Sequence, residues 1–529
     1  MALQGSRSPG GFRSVMTGSP SPAAMARRNS LRARRVGIDT HQEAVVYMRA
    51  DCHICRSEGL TPQSRVLLRN GARSVTATLH HVHSGWLSRG DAGLSEAAWR
   101  RLAAEDGDYI VASHPKPVDS LSSVRQRIRG RRIEPIALRN IVSDIVDGRY
   151  SDVELAAFIT ACTTLPLDDE ETVALTRAMV DAGERLSWPV APVLDKHSIG
   201  GLPGNRTTPI IVSIVTAHGL TMPKTSSRAI TSPAGTADTM ETMAPVDLDL
   251  PTIRKVVEQE GGCIAWGGAV RLSPADDILI RIERALEVDS EGQLIASVLS
   301  KKIAAGSSRL VLDVPVGPTA KVRDAEAASR LSRRLVSVAR IFGIEAVVLQ
   351  SDGSQPVGSG IGPALEARDV LAVLQGKAEA PPMLKERACR LAGVLLELGG
   401  RCEVGIGHEL AARTVDDGRA WSKFQRICEA QGGMRLPPTA SYEYPLAAAS
   451  AGTVESIDNR KIARLAKLAG APEAKAAGVA LHVVLGAPVA AGQPVCTVYA
   501  DTPGELSYAL DYAEANPDIV RVSRAQAAP

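Results

Sequence analysis

The chain has 529 residues, which is enough for several domains with a core of their own. Its formal net charge is only +3 and 3% of its residues are aromatic, which argues against a general attraction to nucleic acid and against a base-stacking platform. No apolar run reaches the roughly eighteen residues of a membrane span, so we expect a soluble protein without a membrane partner.

Residues 1–36 carry seven arginines and no acidic residue among Ser, Gly and Pro, which predicts a disordered basic head. The head resembles a transit peptide in composition, but a solvated tail, or a start at Met16 or Met25, is the preferred interpretation. Eight scattered cysteines favour reduced thiols and a cytoplasmic location. Cys52 and Cys55 form a single CxxC without a second pair, so no metal is expected.

Residues 37–115 alternate polar and apolar positions, as in Ala44 to Met48 and Ser74 to Leu79, with Asn70-Gly71 between them. This pattern predicts a small β-rich domain containing a hairpin. From 116 to 187 the apolar period becomes helical, with a capping box of Ser151 and Glu154 and a further cap at Asp168. We therefore predict a helical lobe, to which residues 274–304 return.

A loop rich in glycine and hydroxyl groups runs from Asp195 to Thr208, between a predicted strand at Val190 to Leu194 and an apolar helix that ends near Gly219. Free backbone N–H groups at a helix start favour an anion, and glycines let the backbone approach it. Lys196 adds a full positive charge. The loop predicts an anion site.

A second loop of the same kind follows from Lys224 to Thr236. Two such loops after neighbouring parallel strands would face one crevice. A single loop of this composition is more often a plain turn, but two in tandem, each with a cation, favour a site. Neither loop matches the Walker or the dinucleotide fingerprint, so neither an ATP tail nor a nicotinamide cofactor is expected.

Residues 188–380 alternate strands, glycine loops and helices, with strands at Leu310 to Val314 and Ala346 to Gln350, which predicts a central α/β domain with a parallel sheet. Residues 381–439 return to helical spacing as a connection, and 440–529 predict a C-terminal α+β domain. The fold class expected is thus α/β and multidomain, with a helical lobe, a central sheet domain, a preceding β-rich domain and a following α+β domain.

The motif Lys196-His197-Ser198-Ile199-Gly200-Gly201 resembles the signature of the thymidine and pyrimidine-nucleoside phosphorylases and their longer relatives, the AMP phosphorylases. The likeness continues through Ser226 to Thr236, Leu272 to Asp276 and Ala296 to Lys302, and covers about 120–529. The β-rich domain before residue 115 resembles the long, AMP phosphorylase branch.

The resemblance implies a pentosyltransferase without a cofactor, working on inorganic phosphate and a nucleoside or nucleotide as a homodimer or larger assembly. The phosphate contacts it implies are Lys196, Ser198, Gly200, Gly201, Thr208, Ser226 and Thr236. Thr207 stays an alternative to Thr208, because one residue is inserted in the loop.

For the base and sugar, the resemblance implies Ser297 and Lys301, which are four apart and so share a helix face. Arg281 needs a one-residue shift to match the family's arginine, and Arg284 is its rival. The nucleotide contacts of the AMP branch fall on Ser227, Arg228, Ala229, Ile230, Thr231, Ser232 and Lys321. Lys321 has the alternative of a plain surface cation.

His197 and Asp289 are the candidates for stabilising or protonating the leaving base. The alternatives are a backbone-bonded ring for His197 and a loop or cap carboxylate for Asp289. The first-choice function is phosphorolysis of thymidine to thymine and 2-deoxy-α-D-ribose 1-phosphate. The runner-up is an AMP phosphorylase giving adenine and ribose 1,5-bisphosphate, and a third interpretation is a nucleotide-binding scaffold without catalysis.

Overall fold

The computed structural model describes residues 30–229, 232–288 and 290–524. The chain divides into two compact units, Met1–Asp119 and Ser120–Pro529. In the described part, no helix has the length and apolar character needed to cross a membrane.

The first unit is a closed barrel in the strand order β1-β5-β2-β4-β3-β6. Its elements are β1 Ser30–Arg35, β2 Val45–Arg49, α1 His53–Ser57, β3 Arg65–Asn70, β4 Arg73–Val82, β5 Asp91–Leu94, α2 Glu96–Leu102 and β6 Tyr109–Ser113. Strands β3 and β4 pair antiparallel with Asn70 opposite Arg73, which confirms the hairpin predicted at Asn70-Gly71. Apolar side chains that alternate along the strands fill the interior.

Strand β1 corrects the predicted head, because Ser30–Arg35 is ordered as part of the barrel. Leu31 and Ala33 are fully buried, whereas Arg32 lies 3.0 Å from Asp91 and extends outward. The alternation of apolar residues with arginine is a strand pattern that the overall basic composition hid. The remainder of the predicted head, residues 1–29, lies outside the described residues.

The second unit begins with four helices, α3 Leu121–Ile128, α4 Pro135–Val146, α5 Asp152–Thr164 and α6 Asp169–Asp181. The capping box predicted at Ser151 and the cap predicted at Asp168 are both present, and each residue pairs with a glutamate three residues later. Leu138, Ile141 and Phe158 are among the buried side chains that hold these helices together.

The chain then alternates strands and helices. In order these are β7 Leu194–Ser198, α7 Thr208–Ala217, β8 Met222–Ser226, α8 Thr236–Glu241, α9 Leu250–Glu260, β9 Gly262–Trp266, a 3₁₀ turn Gly267–Val270, α10 Pro274–Leu286, α11 Glu291–Ala304, β10 Arg309–Val316, α12 Ala325–Ile341, β11 Glu345–Asp352, β12 Gly360–Ile361 and α13 Pro363–Leu374. Helices α14 Pro382–Leu398, α15 Gly407–Asp416 and α16 Arg419–Ala430 follow.

Strands β11, β10 and β7 form a three-stranded parallel sheet, and β8 pairs with β9, also in parallel. A parallel bridge between Val193 and Thr221 connects the two sheets. Helix α7 is buried on every side, since it packs against α14 and α16 as well as the sheet. All these strands point the same way, so the ends of β7, β8 and β10 deliver their loops to one edge.

The remaining elements are β13 Tyr442–Ala447, β14 Gly452–Ile457, α17 Asn459–Leu468, β15 Gly478–Leu481, β16 Pro488–Val489, β17 Pro494–Ala500, α18 Pro503–Ala515 and β18 Val520–Arg524. They form two small sheets, β12-β15-β17-β13 and β16-β14-β18, over a core of their own. The helical lobe, the central parallel sheets, the preceding barrel and this α+β part together confirm the fold class expected from the sequence.

Candidate active site

The signature motif lies mostly on strand β7 rather than in a loop. The strand runs over Leu194–Ser198, four residues later than predicted, and pairs with β10 from Arg309 to Asp313. Asp195 and His197 therefore face one side of the sheet, and Lys196 and Ser198 face the other. The predicted limits of this strand were wrong because pairing with β10 buries charged residues of the motif. The partners that neutralise these charges are distant in sequence.

Lys196 is a buried cation at the start of helix α7. Its Nζ donates a 3.0 Å hydrogen bond to Oγ1 of Thr207, the N-cap residue of that helix. Burial lowers the pKa of Lys196 to about 8, although the carboxylate of Asp313 opposes this effect. Thr207 is thus the hydroxyl that contacts Lys196, while Thr208 occupies the first position of the helix and is also buried.

Ser198 is held by a carboxylate from the neighbouring strand. Its hydroxyl donates to Oδ2 of Asp313 at 2.7 Å and accepts from Nδ2 of Asn205 at 3.0 Å. Ser351, on β11, donates to Oδ1 of the same carboxylate at 2.5 Å. Burial raises the pKa of Asp313, but Lys196, Ser351, Arg387 and Ser198 together lower it below its usual value, so the group is ionised.

Arg206 connects the first loop to the second. Its guanidinium donates to Oε2 of Glu366 at 2.6 Å, to Oγ1 of Thr236 at 2.8 Å and to the carbonyl of Ala234 at 2.8 Å. Both ionic side chains are buried. The two predicted anion loops are therefore tied together by a charge-assisted network that includes the predicted residue Thr236.

The glycines of the first loop serve close approaches. Gly200 has a φ of +128°, and a Cβ there would lie 3.5 Å from Cβ of Lys321, so these two predicted residues are neighbours. Gly201 also has a positive φ, of 54°. A Cβ at Gly204 would come within 2.9 Å of the backbone of Gly358, which lies in the glycine-rich segment between β11 and β12.

On the other face of β7, Asp195 contacts two lysines. Nζ of Lys224 is 3.1 Å from Oδ1, and Nζ of Lys302 donates to Oδ2 at 2.8 Å. Burial raises the pKa of Asp195, but the two lysines outweigh it and lower the pKa. Burial lowers the pKa of Lys302, and the second ammonium lowers it further.

His197 lies among these cations. Burial, then Lys302 and Lys224, lower the pKa of His197 well below its usual range, so its imidazole is neutral near pH 7. A neutral ring can donate one hydrogen bond to a base, but it carries no spare proton. Asp289, the other candidate for protonating the base, lies outside the described residues.

The second predicted loop begins on a strand instead, because Lys224, Thr225 and Ser226 are the last three residues of β8. Oγ of Ser226, at the end of β8, is buried and has no hydrogen-bond partner within the described ranges. The carbonyl of Ser227 accepts from Ala237 N at 3.3 Å, and Ser232 donates to the carbonyl of Ala234 at 2.7 Å. Ala229 N donates to Oδ2 of Asp238 at 2.6 Å. Ile230 and Thr231 lie outside the described residues.

Arg228, also in this loop, is fully engaged by acidic partners. It forms two 2.8 Å hydrogen bonds with the carboxylate of Glu241 and one of 3.2 Å with Asp238. Its guanidinium carbon lies 4.9 Å from the ring centroid of Trp266. Lys475, from the C-terminal part, is 3.0 Å from Glu241. The charges of Arg228 and Lys475 are balanced by those of Glu241 and Asp238, so this cluster has no net charge.

Helix α11 carries Ser297 and Lys301, as the resemblance implies. Nζ of Lys301 forms an ion pair with Asp276 on α10. Burial lowers the pKa of Lys301, but Asp276, with Asp277 and Glu283, raises it by more in total, so the ammonium is retained. Arg281, the first candidate for the family's arginine, donates two hydrogen bonds, of 2.7 and 2.6 Å, to Asp152 on α5. Arg284, the alternative candidate, is exposed.

Sequence reasoning missed several residues of this network. Asp313 is a single carboxylate in an apolar strand, a pattern that signals a buried partner. Asn205 and Arg206 follow the last glycine of the first loop, and their polarity was a visible signal. Glu366 lies 160 residues beyond Arg206 and no local signal connects the two.

Three family models match the second unit. They are the glycosyl transferase family helical bundle domain over 122–183, the glycosyl transferase family a/b domain over 190–421 and the pyrimidine nucleoside phosphorylase C-terminal domain over 453–520.

Several relatives match nearly the full chain, among them the following two. A protein of Chelativorans sp. (strain BNC1), named "Putative thymidine phosphorylase", is 60% identical over 508 residues, covering 96% of this chain and 100% of that protein. A protein of Polaromonas sp. (strain JS666 / ATCC BAA-500) with the same name is 58% identical over 503 residues, covering 95% and 98%. A solved anthranilate phosphoribosyltransferase from Thermus thermophilus is 20% identical with a TM-score of 0.49, covering 58% of this chain and 99% of that chain.

This chain and the two relatives are about 60% identical over nearly their whole lengths, which shows that they belong to one family. The enzyme class follows from it, a pentosyltransferase for which phosphate and a nucleoside are the substrates. The chain belongs to the thymidine and pyrimidine nucleoside phosphorylase family.

Proposed function

We propose that the chain is a thymidine phosphorylase, which converts thymidine and phosphate into thymine and 2-deoxy-α-D-ribose 1-phosphate. The observation that carries the choice is the state of Arg228. A 5′-phosphate on the substrate would need a cation in the second loop, but Arg228 is already neutralised by Glu241 and Asp238. A substrate without a 5′-phosphate needs no such charge.

The proposed phosphate ligands lie in the two segments predicted as anion loops and are Lys196, Ser198, Gly200, Gly201, Thr208, Ser226 and Thr236. Lys196 supports the assignment because, in the described part of the chain, its Nζ donates only to a neutral hydroxyl. Ser226 supports it because a buried hydroxyl without a partner is costly unless a ligand supplies one. The first turn of α7 adds free N–H groups and a positive dipole end.

In the proposed reaction, a phosphate oxygen attacks the anomeric carbon of the sugar and forms the new C–O bond. The bond between that carbon and N1 of thymine breaks, and its electron pair stays on the base. Holding the two reactants in line is the largest contribution, up to about 7–11 kcal/mol in ideal cases. The anionic base takes a proton to become thymine.

Ser297 and Lys301 are the proposed contacts of the base, with His197 as a hydrogen-bond donor to it. The ammonium of Lys301 stays charged beside Asp276, so it can stabilise negative charge that develops on the leaving base. A neutral His197 fits a hydrogen-bonding role better than that of a proton donor. Asp289 can donate a proton only if its surroundings raise its pKa.

The competing substrate is a nucleoside monophosphate, held by Ser227, Arg228, Ala229, Ile230, Thr231, Ser232 and Lys321. The test uses purified protein with phosphate and, separately, thymidine, uridine, AMP and CMP, with release of the free base as the readout. We expect phosphate-dependent release of thymine. Activity on AMP or CMP without activity on thymidine would overturn the proposal.

Two lysine variants test the phosphate site. Lys196→Ala removes the buried cation and should abolish turnover. Lys461→Ala is the matched control, because Lys461 pairs with Asp518 on the C-terminal part and is partly exposed. Equal loss in both variants would indicate general damage, and unchanged turnover in Lys196→Ala would place the phosphate elsewhere.

The proposal includes a homodimer or larger assembly in the cytoplasm, and sedimentation equilibrium measures the assembly.

A further inference from the structure

Gln293 on helix α11 is a buried amide whose hydrogen-bonding groups are unused. The side chain is 4% exposed. Neither Oε1 nor Nε2 has a hydrogen-bond partner within the described ranges. A buried carboxamide offers donors and an acceptor, and leaving them unpaired is unfavourable. Such a group can take a bound ligand as its partner.

The position of Gln293 on the helix indicates what that partner is. Gln293, Ser297 and Lys301 follow one another at intervals of four residues, so successive side chains lie only about 40° apart around the helix axis. The neighbouring Gly292 faces helix α6 instead, since a Cβ there would lie 2.9 Å from Oγ1 of Thr172 on that helix. Gln293 thus belongs to the stripe that carries the proposed base contacts.

We propose that Gln293 is a specificity-determining residue whose carboxamide binds the N3–H and an adjacent carbonyl of the pyrimidine base. This inference rests on the proposed function. A thymine or uracil ring presents a donor beside an acceptor on that edge, and a carboxamide presents the complementary pair. The Nε2–H group that donates to the carbonyl also stabilises the negative charge that spreads onto this oxygen as the base leaves.

The test compares thymidine with N3-methylthymidine, which lacks the N–H. In the wild-type protein, kcat/KM should strongly favour thymidine, because a site built for a hydrogen bond rejects an analogue that cannot form it. Gln293→Leu keeps the size of the side chain and removes its polar atoms. It should reduce the preference by about tenfold or more, mainly through a loss of activity on thymidine.

Thermal unfolding separates a binding role from a structural one. Gln293→Leu removes two unpaired polar atoms from the interior, so its unfolding midpoint should equal or exceed that of the wild type. Gln431 is the matched control, a buried amide whose Oε1 accepts from Ile264 N at 2.7 Å and whose Nε2 donates to Pro245 O at 2.7 Å. Gln431→Leu should lower the midpoint and keep the preference for thymidine.

Each outcome has a separate meaning. If the wild type cleaves thymidine and Gln293→Leu keeps its preference over N3-methylthymidine, the role of Gln293 is refuted and the proposed function stands. If the wild type does not cleave thymidine, the proposed function fails, and the inference fails with it. Gln293→Met, which keeps the unbranched shape, replaces the leucine variant if that protein does not fold.

Discussion

The hydroxyl of Ser198, at the end of β7, donates a 2.7 Å hydrogen bond to the carboxylate of Asp313 on the adjacent strand β10. A proposed phosphate ligand is therefore oriented by an anion. Such an arrangement can bind phosphate only if cations outweigh the carboxylate. Lys196 and Arg387 both act on the pKa of Asp313, so the local balance is positive.

Asp313→Asn should shift the alkaline limb of the pH profile. Lys196 is a proposed phosphate ligand in its ammonium form, so kcat/KM for phosphate should fall as the pH rises through about 8 in the wild type. Asp313 raises the pKa of Lys196, and its neutralisation therefore moves this fall to lower pH. Steady-state kinetics between about pH 6 and 10 measure the shift. Ser351→Ala keeps the charge of Asp313 and should shift the fall at high pH less. If the fall stays at the same pH in Asp313→Asn, Asp313 does not control the pKa of Lys196.

Ser226→Ala should separate phosphate binding from stability. The buried Oγ has no partner within the described ranges, so its removal should leave the unfolding midpoint equal or higher. The KM for phosphate should rise about fivefold, the value of one ordinary hydrogen bond. Ser300→Ala is the control, because Oγ of Ser300 lies 3.1 Å from Oγ of Ser273 and its loss should lower stability alone. An unchanged KM in Ser226→Ala would remove Ser226 from the phosphate site.

Glu366→Gln should strongly destabilise the fold. The substitution keeps the shape and leaves the charge of Arg206 buried without its anion, which costs about 3 kcal/mol in the free energy of unfolding. Denaturant titration measures the loss. Asp518→Asn removes an ion pair with Lys461 that solvent screens, and should lower the free energy of unfolding far less. Equal losses in the two variants would contradict the buried network.

Glu241→Gln should improve binding of a nucleotide. Arg228 lowers the pKa of Glu241 to about 2, so this glutamate is ionised at every working pH and neutralises the arginine. Removing its charge frees part of the positive charge of Arg228. AMP should then inhibit thymidine cleavage about fivefold more strongly than in the wild type. Glu455→Gln, on the exposed face of β14, is the control and should leave inhibition by AMP unchanged. Unchanged inhibition in Glu241→Gln would show that Arg228 does not contact the 5′-phosphate of AMP.

Short-range features were predictable from the sequence. The capping boxes at Ser151 and Asp168 and the hairpin at Asn70-Gly71 depend on residues within one turn of each other, so local chemistry specifies them. Strand β7 lies four residues later than predicted, because its limits depend on pairing with β10, which is more than a hundred residues away in the sequence. Strand β1 was missed for the same reason, since its partners are β5 and β6.

Residue pattern alone was enough to indicate the family and the two segments that carry cations, hydroxyls and glycines ahead of helix starts. The packing of the folded chain sets which polar groups of the site can meet a ligand. Arg206 and Arg228 are bound to carboxylates, while the polar atoms of Ser226 and Gln293 are unpaired among the residues that the structure describes. The reason is physical: a motif lists the charges within one segment, but the strand order and helix packing decide which opposite charges reach them.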